Sequence, residues 1–176
     1  HHLASLSASG SLYHETVNYK MEAAGYQRKS EAQMQSLTLA IQGSRSRHEL
    51  SAKAHLGNDA ALDLHASGAL ADTAQGWRNV QWRGVISDLT ATGPIPFRLL
   101  AATPATLGRE RISLGKAEFS VAGGRAQLAS TEWTPMSWYS RGSFSGIGLR
   151  PGGIAGETQN ALRLAGDWDI SAATSL

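Results

Sequence analysis

A chain of 176 residues with 19 glycines, no cysteine and a net charge of +2 is long enough for one domain, or for a slice of a larger repetitive protein. The lack of cysteine rules out disulfides and thiolate metal sites without choosing a compartment, and the sixteen basic residues are scattered singly, so the stripe that a nucleic-acid backbone requires is missing and no nucleic-acid partner is expected. No run approaches the roughly 20 apolar residues of a membrane-spanning helix, and an apolar fraction of 41% with few bulky aliphatics favours short strands and tight turns.

His1 and His2 read as the remnant of a purification tag, and residues 3–176 as a single β domain. The first strand is "LSASGSL", residues 6–12, in which apolar and polar residues alternate. Residues 13–35 look less regular and predict a short helix or a broken strand. From 36 to 70 the alternation is clear, and "GSRS" and "GND" break it into a three-strand meander. Residues 71–80 read as a connection. Strands follow at "GVISDLTATG", "IPFRLLAA", "RISLGKAEFSV", "GRAQLASTEW", "SRGSFSGIGL" and "ALRLAGDWDI", with the turn-rich 150–160 before the last. The first strand's pattern returns in "LDLHASGAL", residues 62–70, and more weakly in "LRLAGDW", residues 162–168. Period-two alternation from end to end predicts an all-β chain with little or no helix.

In the meander, pairing Leu39 with Leu50 and Leu37 with Ala52 puts the first turn at Ser44-Arg45. Pairing Leu56 with Leu62 and Ala54 with Leu64 leaves Asn58-Asp59-Ala60 as the second loop. One face then collects Leu37, Leu39, Ile41, Leu50, Leu56, Leu62 and Leu64. The other sets Lys53 opposite His65 and His55 opposite Asp63. The later strands extend the apolar series with Phe97, Leu99, Ile112, Leu114, Phe119, Val121 and Leu128. Such alternation fills a closed β-sandwich, the commoner architecture for residues patterned this way, or lines an open groove, to which a chain rich in alanine and serine but poor in aromatics lends mild support.

Other constellations are weaker. Two imidazoles and a carboxylate, His55, His65 and Asp63, can bind zinc, but a solvated polar face carries the same residues. His14 and His48 have no evident partner. A nucleophile elbow of the G-x-S-x-G kind is missing. Trp77, Trp82, Trp133, Trp138 and Trp168 could stack on sugars or pack at strand ends, and Trp82 followed by Gly84 suits a strand start where glycine relieves crowding beside the ring. Gly123-Gly124 reads as a hairpin turn, not a phosphate loop. No catalytic group, metal or cofactor is expected.

The segment "WRGVISDLTATGPIPFRLLAATPATLGRERISLGKAEFSVAGGRAQLASTEW" opens a strand with Trp82-Arg83-Gly84, passes through Phe97-Arg98-Leu99 and continues with Pro104-Ala105-x-Leu107. Together with "IQGSRSRHELSAKAHLGNDAALDLHASGAL" upstream, it resembles the TamB family of bacterial envelope proteins over most of residues 36–149. The resemblance implies an elongated, curved, mainly antiparallel sheet, taco-shaped, with an apolar concave groove. It further implies a periplasmic segment of an inner-membrane-anchored protein related to AsmA-like bridges. The partners implied are phospholipid acyl chains carried between the membranes, an Omp85-type outer-membrane barrel of the TamA kind reached through other parts of the protein, and outer-membrane protein clients. The chain is expected to be an internal or C-terminal-region fragment, with the fourteen apolar residues named above as the lipid-groove set. A closed β-sandwich or β-solenoid binding module, lectin- or adhesin-like, is the alternative.

Overall fold

The computed structural model describes residues 5–13, 16–28, 31–57, 59–71, 81–150, 153–154 and 162–173. Expectations that fall on His1, His2, His14, Asn58, Trp77 and the connections at 72–80 and 155–161 lie outside them.

The described residues form one antiparallel sheet of fourteen strands without any helix. In chain order these are β1 (Ser5–Tyr13), β2 (Thr16–Arg28), β3 (Glu31–Ser44), β4 (His48–Leu56), β5 (Ala61–Ala71), β6 (Gln81–Thr92), β7 (Phe97–Leu99), β8 (Thr103–Leu107), β9 (Ile112–Leu114), β10 (Ala117–Val121), β11 (Gly124–Thr134), β12 (Ser137–Arg150), β13 (Gly153–Ile154) and β14 (Leu162–Ala173). β1 to β6 form a plain meander. β7 and β8 then lie end to end along β6, and β10 and β9 lie end to end along β11. β12 pairs with β11 and β14, and the sheet does not close into a barrel.

The expected helix or broken strand at 13–35 is instead the long strand β2 and the start of β3. Its signal was present: Val17, Tyr19, Met21 and Ala23 alternate with Thr16, Asn18, Lys20 and Glu22. The meander's partners also need correction. Leu39 pairs with Ala52, Ile41 with Leu50, Ala54 with Leu62 and Ala52 with Leu64. Ser44 and Arg47 exchange backbone hydrogen bonds of 2.7 and 3.2 Å, and Arg47 N–H also donates to Ser44 Oγ at 3.0 Å, so Arg45-Ser46 is the tip. The next loop closes with Leu56 N–H on Ala60 O at 2.7 Å and uses Asp59 at φ 56°. Each tip lies one residue from its expected place, which moves every pairing by two and leaves every side chain on its expected face. Lys53 therefore faces Asp63, Ser51 faces His65, and His55 faces Ala61.

A line of irregularities crosses the sheet. Ser87 is an extra residue on β6, residues 100–102 separate β7 from β8, residues 115–116 separate β9 from β10, and Ala129 is an extra residue on β11. Thr103, fully buried, spans the break: its hydroxyl lies 3.1 Å from Ala101 O and 3.3 Å from Lys116 O. Bulges bend and twist the strands that carry them, so aligned bulges bend the sheet along one line.

Burial is what a single layer can supply. Among the described residues the buried apolar ones are Ala23, Ala66, Ala105, Ala117, Ala122, Leu99 and Trp82, five of the seven being alanines. The chain exposes 12006 Å², where a compact protein of 18.6 kDa exposes about 8,200 Å². Where the sheet is tightest, glycine is obligatory. A Cβ on Gly84 would lie 2.3 Å from Ser67 O and 2.4 Å from the Trp82 ring. Gly84→Ala is expected to cost about 2–3 kcal/mol, as overpacking of a fixed contact does, measured as a lowered urea midpoint at unchanged m-value.

Candidate functional site: the apolar face

Paired residues of an antiparallel ladder share a face, so the registers trace rows of side chains across the strands. One row runs Ala23, Leu37, Ala54, Leu62, Ala91, Phe97, Val121. The next runs Met21, Leu39, Ala52, Leu64, Leu89 and, beyond the bend, Leu99, Phe119, Ala126, Phe144. A third holds Tyr19, Ile41, Leu50, Ala66, Ile86 and then Leu128. A fourth holds His48, Gly68, Gly84, Ala105, Leu114 and Thr131. The fifth holds Leu70, Trp82, Leu107, Ile112, Trp133, Trp138. Leu56, paired with Met34, lies outside the first row on the same side.

All fourteen apolar residues singled out in the sequence thus lie on one face. Tyr19, Met21, Ile86, Leu89, Leu107, Phe144, Trp168 and Ile170 join them, the first two from β2. Leu99 alone of the fourteen is buried. Leu56 and Ile112 are exposed, and the other eleven are partly exposed. Trp133 and Trp138, cross-strand partners, remain 39% and 40% exposed. Side chains sealed between two packed sheets would not keep such exposure.

Four aromatic rings are laid flat against this face by glycines. Tyr19 covers Gly10, Trp82 covers Gly68 and Gly84, Phe144 covers Gly166, and Trp168 covers Gly142. Gly10, Gly68 and Gly166 are the glycines of the three repeated stretches, "LSASGSL", "LDLHASGAL" and "LRLAGDW". The repeat therefore encodes a strand with a vacancy that an aromatic on the next strand fills, which pins both ring and register. Trp82 is fixed most firmly. Its Nε1–H donates to Nε2 of His48 at 2.8 Å, and His48 Nδ1 meets Ser44 O at 3.0 Å. His48, 3% exposed, thereby gains both partners as a neutral imidazole protonated on Nδ1. Trp168 Nε1–H donates to Ser140 Oγ at 3.0 Å, and its ring stacks on Phe144 with centroids 6.4 Å apart.

The opposite face is ionic and solvated. Lys53–Asp63 (3.2 Å), Asp63–His65 (3.3 Å), Glu118–Arg125 (3.2 Å) and Arg141–Asp169 (2.7 Å) lie there. The hydrogen bonds that Arg141 donates to Asp169 Oδ2, and then the carboxylate's charge, push the guanidinium above its ordinary pKa. His55 bonds Ser36 at 3.1 Å rather than joining Asp63, and no cluster of three metal-ligating side chains occurs among the described residues. No helix among them is long and apolar enough to cross a membrane.

Comparison with family models, with curated proteins and with solved structures finds no match.

Trp82→Phe would keep the ring on its glycines but leave buried His48 Nε2 without a donor. It is expected to cost about 1–3 kcal/mol, measured by chemical denaturation, with more stability retained than in Trp82→Ala.

Proposed function

We propose that this chain shields lipid acyl chains on its apolar face, as a segment of a periplasmic, TamB-like protein that carries phospholipid between inner and outer membranes and supports outer-membrane protein assembly. The observation that carries this reading is the set of apolar rows that no second layer covers among the described residues. Monomers usually leave apolar patches of only a few hundred Å² in water, so a partly exposed apolar face running across so many strands reads as a surface for something apolar. Each acyl methylene shielded contributes about 0.8 kcal/mol, so half a chain on these rows offsets much of the cost of leaving a bilayer. Passive movement along the rows needs no catalytic group. A lectin-like sandwich would need the leucines sealed in a core, and their partial exposure weighs against it.

One observation favours a second reading. β1 is a nine-residue edge strand without charge or proline, paired only with β2 among the described residues, and such an edge can accept a client strand. In that case the protein would recognise backbone rather than acyl chains.

Native mass spectrometry of the purified chain tests the proposal. Phospholipid is expected to copurify and to be lost in Leu64→Asp, while circular dichroism shows the variant folded. A lipid-free protein that unfolds on the same substitution contradicts it, because a charge then enters a closed core. Retained client binding by folded Leu64→Asp, lost in Ser9→Lys, would favour edge pairing.

A further inference from the structure

The hairpin that joins β11 to β12 ends in Thr134-Pro135-Met136-Ser137, with Thr134 and Ser137 paired at its base. Its tip carries no charge, and Met136 is 68% exposed. One step along the strands, Trp133 and Trp138 pair with each other and are exposed. Trp133 also pairs with Ile112, and Ile112 with Leu107, both exposed as well. The fifth row thus ends in a contiguous apolar corner that protrudes at a hairpin tip.

Two features set this corner apart from a packing surface. Of the four described tryptophans, Trp82 and Trp168 donate their N–H groups to His48 and Ser140, whereas those of Trp133 and Trp138 meet no partner among the described residues. The N–H groups of the tip, in contrast, need no water. Pro135 has none, and those of Met136 and Ser137 both donate to Thr134 Oγ1, at 3.3 and 3.0 Å. A tip paired in this way can leave water without orphaning a donor. An indole, apolar in body and polar at its N–H, suits the boundary between acyl chains and hydrogen-bond-accepting headgroups.

Charge and length agree. The neighbouring turn at 108–111 brings Arg109, Glu110 and Arg111, and Glu132 holds Arg111 at 2.7 Å, so two cations stand against two anions. The corner therefore has no net charge with which to select an acidic or a basic protein, and what it matches is an apolar surface edged with acceptors. Pro135 lies two residues beyond Trp133, no more than about 7 Å. Apolar groups at a membrane interface sink about 5–10 Å into the boundary of headgroups and acyl chains.

We propose that the tip at Pro135-Met136, with Trp133 and Trp138 beside it, docks the sheet on the surface of a phospholipid bilayer, the indoles resting at headgroup level. The fifth row then opens onto the acyl region, where a chain can pass between bilayer and sheet. This rests on the acyl-shielding reading and adds to it the surface that meets the membrane.

The test is flotation of the intact chain, Met136→Asp and Met136→Leu with vesicles of pure phosphatidylcholine at low and high salt, each variant shown folded by circular dichroism. The intact chain and Met136→Leu are expected to float equally at both salt concentrations, because no net charge is there to be screened. Met136→Asp should bind on the order of tenfold more weakly, the worth of one buried methionine side chain, while keeping any phospholipid that copurifies with it. No flotation of the intact chain, undiminished flotation of Met136→Asp, or flotation abolished by salt overturns the docking proposal. A dimer in vesicle-free sedimentation that Met136→Asp dissociates also overturns it, in favour of a second copy of this chain at the corner. Acyl shielding is read separately: copurified phospholipid in a chain that does not float leaves it standing, and a chain that neither floats nor carries lipid overturns both.

Discussion

In an antiparallel ladder, residues that pair put their side chains on the same side of the sheet. Here the pairing runs from β1 to β14, so the side of Leu39 is also the side of Phe119 and Ile112. Each further strand can therefore only widen the same two faces. With a polar residue at nearly every second position, one face becomes ionic and wet; the other collects leucine, alanine and aromatic rings. Among the described residues no second layer closes on that apolar face, and the proposed handling of acyl chains rests on this availability.

A single layer must hold its register without a packed core. The aromatic rings on cross-strand glycines supply that constraint, since Trp82 lies on both Gly68 and Gly84 and is bound through His48 to the Ser44 turn. Sliding a strand by two residues would keep the faces but remove the glycine from beneath the ring, and so the rings specify what the faces alone cannot. The line of breaks at Ser87, 100–102, 115–116 and Ala129 adds a bend across the middle strands, with Thr103 fastening it.

Much of this was legible in the residues. The all-β class, the alternation and the common face of the fourteen apolar residues all follow from period two. Exact partners did not, because a hairpin tip displaced by one residue, as at Arg45-Ser46, changes every partner and no face. β2 was hidden by Gly25 and by the charges between its apolar residues, although Val17, Tyr19, Met21 and Ala23 alternate in plain view. The role of His48 was not legible at all. It depends on Trp82, thirty-four positions away, and on a turn carbonyl that no side-chain pattern reports. The recurrence of Ala-Ser-Gly was visible, but the reason lies in the neighbouring strands: Tyr19 and Trp82 fill the two glycine vacancies.

Whether one face alone meets acyl chains is decided by a photocrosslinking amino acid placed singly at Leu39 and Leu64, and at their opposite-face neighbours Thr38 and Asp63, in protein exposed to phospholipid vesicles. Lipid adducts are expected from positions 39 and 64 and none above background from 38 and 63. Adducts of equal yield from both faces, or from neither, would contradict the acyl-shielding reading.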